Sequence, residues 1–456
     1  MKPTSKPLPW SVQVGYAMAD VGINAVETAL RLYLLIYYTD RIGLRADLAG
    51  LALALGLLWD AVTDPVMGAI SDRTAHGRHG RRIYVLIGGV LLAFAVVLLF
   101  HPPELAGQWQ RFGWLLGAFC FLNTALTIIN VPHMAMAGEM TVDPHERSVL
   151  FGWRFACMNF GAVFAAALPA VLLSGPEERT VSAMGPFSLL VALVVVASAA
   201  WTWRATKRIA FHVEPSRKRS LFAEFKEAFG NPTFRPLVLV YVIATIGVGV
   251  NSAVALYYYN YQLELSDRQI QIMVAVLMVV FTISIVFWVR FSQRKGKNRP
   301  IVLGASLLGI STSVLYLLLP PGNFVLPLVL GAVGLGSLIG CIVLIDSLLT
   351  DVIDHDCITT GVRRSGVFFG VWRFASKLAR AAAIGGTGLV LNLIGFVPNE
   401  VQSEGVRRAL SLLFGPGVGL FFLAAAVLLS RYRFTDSKQR QVQRILVRRR
   451  VAAEQN

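Results

Sequence analysis

Twelve stretches of this chain stay apolar for about 20 residues, the length an α-helix needs to cross the hydrocarbon core of a bilayer. They fall at 12–38, 46–70, 83–101, 113–138, 148–173, 184–203, 236–260, 269–290, 300–319, 325–349, 366–396 and 407–430. In hydrocarbon a backbone must satisfy its own hydrogen bonds, so such a chain is expected to be an all-α membrane protein, a bundle of twelve transmembrane helices. Composition agrees: 55% of the 456 residues are hydrophobic and only 15% are charged, outside the range of soluble domains. Several spans exceed the minimum length, which implies tilt or overhang rather than further crossings.

The formal net charge of +16 does not point to nucleic acid. Most of the 42 Lys and Arg lie in the amino end, the even-to-odd loops, the middle loop and the tail, the asymmetry that orients membrane helices. Both termini of this multi-pass chain are therefore expected in the cytoplasm. The polar stretch 204–235 is a cytoplasmic middle loop that separates a six-helix bundle (1–203) from a second (236–430), followed by a tail (431–456). Within that loop, Leu221 to Phe229 either lies on the membrane surface as an amphipathic segment or is a solvated linker. Asp20, Glu27 and Arg31 in the first span argue against a cleaved signal peptide. Cys120, Cys157, Cys341 and Cys357 show no disulfide or metal-ligand spacing. A faint repeat supports two parallel halves: GAISDRTAHGRHGRR follows the second span and RFSQRKGKNRP follows the eighth.

Polar residues inside the spans carry the functional signal, because an ionised side chain at the bilayer centre costs about 2.5–3.5 kcal/mol on insertion scales. Asp60 and Asp64 stand one helical turn apart on the second span. On the first, Asp20, Asn24, Glu27 and Arg31 share one helical face, as Asn123, Thr127, Asn130 and Met134 do on the fourth. Glu27 and Arg31 have the spacing of an intrahelical ion pair. Pro132 withholds a backbone N–H and frees a carbonyl beside the fourth-span stripe. Arg154 lies on the fifth span, and Arg373, Lys377 and Arg380 line one face of the eleventh. Acids and bases balance, which implies a buried charge network around a wet cavity; for Asp346, nearer the cytoplasm, a structural role is the better reading. Sodium would find oxygen ligands in Asp60, Asp64, Thr127 and Asn130; alternatively the acid pair shares a proton. His133 also has two readings, a proton-coupling group or a hydrogen-bonded packing residue. Neither a nucleophile–base pair nor a metal cluster suggests an enzyme.

Five motifs resemble the glycoside-pentoside-hexuronide:cation symporters, a branch of the major facilitator superfamily. They are YYTDRIGL (37–44), WDAVTDPVMGAISDRT (59–74), TIINVPHMAMAGEMTVDPHER (127–147), DVIDHDCITTGVRRSGVFFGVWRFASKLARA (351–381) and RYRFTDSKQRQV (431–442). The resemblance implies two six-helix bundles that open alternately to each side and move a sugar or glycoside with a cation. It implies cation coupling at Asp60, Asp64 and Thr127, with Asn130 beside them, and substrate binding at Asp20, Arg154 and Lys377; Asn24 and Trp372 are further expected substrate contacts. Asp72, Arg73, Arg81, Arg82 and Asp351 are expected at a cytoplasmic gate, pairing with acids such as Asp143, Glu146 or Asp351. Two positions depart from the melibiose-carrying members. Asn130 replaces an aspartate, which tilts the coupling ion towards the proton, and Met134 replaces an aromatic sugar platform that Tyr33, Trp372 or Tyr257 to Tyr259 could supply instead. No cofactor is expected, and no metal beyond sodium at Asp60 and Asp64. The expected partners are a small solute and the bilayer, with the chain a monomer. Rival readings are a lysolipid or amphipathic-solute carrier of the same fold and a proton-coupled drug exporter.

Overall fold

Backbone amides that leave water must bond to one another, and this chain meets that demand with helices alone among its described residues. The computed structural model describes residues 8–74, 80–141, 144–172, 183–207, 209, 228–360 and 365–432. The first half comprises α1 (Trp10–Ala17), α2 (Ala19–Ala29), α3 (Ala46–Thr74), α4 (Arg82–Phe100), α5 (Gln108–Met140), α6 (Pro144–Leu172) and α7 (Met184–Ala205). After the middle loop come α8 (Phe234–Tyr257), α9 (Asp267–Lys295), α10 (Asn298–Leu318), α11 (Gly336–Ile339), α12 (Leu344–Thr360), α13 (Ser365–Leu393), α14 (Glu404–Leu412) and α15 (Val418–Ser430).

Among the described residues, ten helices are long and apolar enough to cross a bilayer. The first expected span is irregular: α1 and α2 meet at Met18, and two π-helical turns, Leu30–Leu34 and Tyr37–Arg41, extend it. The tenth is also broken, by a π-helical stretch at Pro327–Leu335 and a 3-10 turn at Gly340–Val343, where glycines weaken the regular helix. The eleventh, α13, keeps its length but carries Arg373, Lys377 and Arg380. The surface-helix segment expected at 221–229 lies outside the described residues up to 227.

Contacts divide the chain into two compact units. One holds Met1–Arg217 with Ser266–Ala275 and Ile384–Val401; the other holds Lys218–Leu265, Val276–Ala383 and Gln402–Asn456. In the first, α2 packs on α6 and α7, α4 on α5 and α7, and α3 on α5; in the second, α15 packs on α10 and α8. Lipid supplies no hydrophobic drive between helices, so close approach depends on small residues. Gly88 shows this: a Cβ there would sit 2.7 Å from the backbone nitrogen of Ile129. Gly309 does the same in the second unit, 2.9 Å from the carbonyl oxygen of Gly419.

The parallel repeat is plainer in the structure than in the basic loops. Both α3 and α9 are 29 residues long, and each follows a π-helical turn built on a Tyr-Tyr pair. Tyr37 and Tyr38 donate their hydroxyls to the carbonyls of Phe100 and Leu99 at 2.8 Å, and Tyr258 donates to that of Tyr316 at 2.6 Å. The tyrosines thus satisfy carbonyls that the ends of α4 and α10 leave without helical donors. Each turn closes with a positive φ, at Gly43 (69°) and Glu264 (53°). Glycine adopts this conformation freely; Glu264 is held in it by a 2.9 Å ion pair with Arg407.

Gly88→Leu should overpack the α4–α5 contact at a cost of about 1–3 kcal/mol. The expected result is a lower thermal unfolding midpoint in detergent, with Gly88→Ala less affected.

Candidate functional site

Two polar centres lie in the first unit. The first joins α3 to α5. The hydroxyl of Thr127 is 2.8 Å from Oδ1 of Asp60 and 2.9 Å from Oδ1 of Asp64, and Thr63 brings a second hydroxyl to within 3.2 Å of it. A hydroxyl has one proton, so Thr127 donates to one carboxylate at a time. Because both oxygens touch the same atom, they lie within about 6 Å of each other, a separation at which like charges repel appreciably. A cation between them offsets that repulsion. Pro65 follows Asp64 inside α3, and Pro132 lies inside α5. Each lacks the N–H that would bond the carbonyl four residues back, that of Ala61 or Ile128. Asn130 sits nearly one turn beyond Thr127, half-buried.

The second centre joins α1, α2, α5 and α6. Arg154 grips Asp20 with two parallel bonds, Nε to Oδ2 at 2.7 Å and Nη2 to Oδ1 at 2.9 Å. The residues are 5% and 1% exposed. In such a setting the paired, planar geometry of arginine is what makes burial of two charges tolerable. The Tyr16 ring lies 5.9 Å from the guanidinium carbon, and its hydroxyl donates to the carbonyl of His133 at 2.8 Å. His133 in turn contacts the carbonyl of Tyr16 through Nε2 at 2.8 Å, and its Nδ1 is 3.8 Å from Oδ1 of Asp20. Asn24 spends an amide hydrogen on the carbonyl of Asp20.

The second unit places its expected residues differently. The indole N–H of Trp372 donates to Asp346 at 2.8 Å, and its ring stacks on Tyr241 at 3.8 Å. Trp372, an expected substrate contact, is 4% exposed in this conformation. The other expected aromatic platforms fare the same way: Tyr33, Tyr257, Tyr258 and Tyr259 are all buried. Tyr33 donates to the carbonyl of Ala166, with the side-chain oxygen of Gln271 also at 2.9 Å. Lys377 is half-buried on α13, and Arg373 is exposed.

The expected gate residues make contacts within their own units. Arg81 pairs with Glu139 at 2.7 Å and bonds Ser71 at 2.6 Å, while Asp351 pairs with Lys297 at 2.8 Å. Arg82 donates to the carbonyls of Thr206 and Lys207 just past the end of α7, where the helix dipole favours a cation. Arg73 is exposed, whereas Asp143 and the side chain of Asp72 lie outside the described residues. Glu146 accepts from the backbone N–H of Leu8 and from Thr141. Sequence reasoning missed Tyr16, Thr63, Glu139 and Lys297. Tyr16 was within reach, being one turn before Asp20 on the same face.

Thr127→Val is nearly isosteric and removes the hydroxyl that faces both carboxylates. It should lower stability by about 1.5–3 kcal/mol, read as the unfolding midpoint in detergent, and Thr127→Ser should restore it.

A family model described as MFS/sugar transport protein matches residues 15–436. A glucuronide carrier protein homolog of Escherichia coli (strain K12) is 27% identical over 95% of this chain and 95% of its own. An isoprimeverose transporter of Lactiplantibacillus pentosus is 25% identical over 92% of this chain and 88% of its own. Among solved structures, a bacterial homologue of the human lysosomal transporter Spinster aligns with a TM-score of 0.64 at 14% identity, over 93% of this chain and 98% of that one. The likeness to that structure concerns the fold. The match over nearly the whole chain, together with the symporter motifs, makes this protein a member of the MFS/sugar transport family, with the all-helical fold of the major facilitator superfamily.

Proposed function

We propose that the protein carries a sugar or glycoside across the membrane together with a cation, by alternating access between its two halves. The observation that carries this reading is the pair Asp60 and Asp64, both within hydrogen-bond distance of one hydroxyl in the hydrophobic span of α3. A positive ion discharges the pair, lowers the cost of closing the bundle around solute, and lets the halves rock. Each charge carried inward gains about 2.3 kcal/mol per 100 mV. The proton is favoured over sodium because Asn130 supplies a neutral amide where a carboxylate would strengthen a sodium site.

Solute binding is assigned to Asp20, Asn24 and Arg154 in the first half and to Lys377 in the second. The buried Asp20–Arg154 pair favours a solute rich in oxygen over a lipid or an apolar drug. Asp72, Arg73, Arg81, Arg82 and Asp351 are assigned to the cytoplasmic gate. Twelve crossings follow from adding two stretches to the ten apolar helices: α1 to Arg41, and α13, whose three basic residues lower its apolar score. We place the chain as a monomer in a bacterial inner membrane, both termini in the cytoplasm, with no enzymatic step and no cofactor.

The test is uptake into vesicles under separately imposed pH and sodium gradients, with isoprimeverose, phenyl glucuronide and lysophosphatidylcholine as probes. Accumulation of either sugar under a pH gradient is expected; transport of the lysolipid alone would sink the proposal. Asp64→Asn should abolish accumulation while leaving the protein folded and inserted, and a variant that still concentrates sugar removes Asp64 from coupling. Lys377→Ala should weaken sugar binding at least tenfold, and unchanged affinity would make that lysine structural.

A further inference from the structure

We propose that His133 is a second partner for Asp20, taking a proton on Nδ1 when Arg154 turns from Asp20 to the transported solute. The inference rests on the assignment of Asp20 and Arg154 to solute binding, and it adds a proton site distinct from Asp60 and Asp64.

The imidazole is oriented by its neighbours. Its Nε2 lies 2.8 Å from the carbonyl oxygen of Tyr16, which only accepts, so Nε2 carries the hydrogen and Nδ1 holds a lone pair. Tyr16 returns a bond from its hydroxyl to the carbonyl of His133, and the two rings lie 4.6 Å apart. One of these bonds holds the ring and the other the His133 backbone, and Nδ1 is left on the side of Asp20. That nitrogen is fully buried, has no hydrogen-bond partner, and stands 3.8 Å from Oδ1 of Asp20. A lone pair facing a carboxylate is an unfavourable contact. One proton from water bound to Nδ1 reverses it, and a shift of about 1 Å completes a charge-assisted hydrogen bond.

Among the described residues, the charged and titratable groups facing His133 are Tyr16 from α1, Asp20 from α2 and Arg154 from α6, with Cys157 of α6 also near Asp20. While Arg154 holds Asp20, its positive charge opposes a second cation in the cluster. Once its guanidinium swings to a solute, that repulsion falls and Asp20 becomes a buried anion in need of a partner. Both changes draw a proton to Nδ1. The charges close when the solute supplies a carboxylate: Arg154 neutralises it, protonated His133 neutralises Asp20, and one proton accompanies each acidic sugar. A solute of that kind also suits the two parallel donors of arginine better than a neutral one.

The test needs no transport. Purified protein labelled with 15N-histidine is titrated by NMR between pH 5 and 8, the His133 signal being the one absent from His133→Gln, whose amide can still donate to the Tyr16 carbonyl. Arg154→Gln mimics the departure of Arg154, and Nδ1 of His133 should then bind a proton about a hundredfold more tightly than in the parent protein. An Nδ1 that stays unprotonated down to pH 5 in Arg154→Gln overturns the proposal. Should that variant not fold, the parent protein is measured with whichever of phenyl glucuronide and isoprimeverose it binds; an Nδ1 that remains unprotonated on saturation overturns it equally. Neither result bears on Asp60 and Asp64, so coupling at that pair stands or falls separately in the vesicle assay.

Discussion

Hydrocarbon does not solvate charge, and the arrangement of this bundle follows from that constraint. The two centres of the first unit solve the problem in different ways, each with partners on neighbouring helices. Asp20 is matched by a bidentate arginine, a complete ion pair in which both charges are spoken for. Asp60 and Asp64 converge on a hydroxyl that has one proton for two carboxylate oxygens. The first arrangement changes only when something competes for the guanidinium. The two centres therefore differ in kind: a bidentate ion pair in one, two carboxylates around a single hydroxyl in the other.

The spans were legible because a bilayer imposes one length and one hydropathy on every crossing helix. Their ends were not. Polar residues prolong α3 to Thr74 and α12 to Thr360, and π-helical turns after Ala29 and Ile36 shift the register of the first span without disturbing its composition. One face within a helix was legible too: the convergence of Asp60 and Asp64 follows from their spacing. Partners on different helices were not, because periodicity says which side a residue occupies but not which helix meets it. Arg154 on Asp20, Glu139 on Arg81 and Lys297 on Asp351 all belong to that class. The surroundings of the aromatic candidates were hidden for a related reason: Tyr33, Trp372 and Tyr257 to Tyr259 are all buried, and Tyr33, Tyr258 and Trp372 bond a carbonyl or carboxylate inside the bundle.

The internal repeat was legible in the wrong place. Basic loops are conspicuous in sequence but tolerate drift, since any lysine or arginine near the membrane surface serves orientation. The Tyr-Tyr turns tolerate little, because a phenol at the end of one helix must meet a carbonyl at the end of another. They mark the repeat at the bond that both halves need.

On the function proposed above, an ion on α3 has to influence a solute on α2 and α6, and α5 contacts both centres. Thr127 faces α3, and His133 faces α1 and α2, six residues further along the same helix and so about 9 Å away along its axis. Pro132 lies between them, where the helix lacks a backbone bond and can flex. On that proposal, a shift of Thr127 on discharge of Asp60 and Asp64 would reach the Tyr16–His133 clamp through less than two turns of a helix that lacks a backbone bond at Pro132. Coupling of this kind needs no long relay of contacts. It needs one segment with two settings, each favoured by a different occupant, and the stretch from Thr127 to His133 has the bonds on both flanks to provide it.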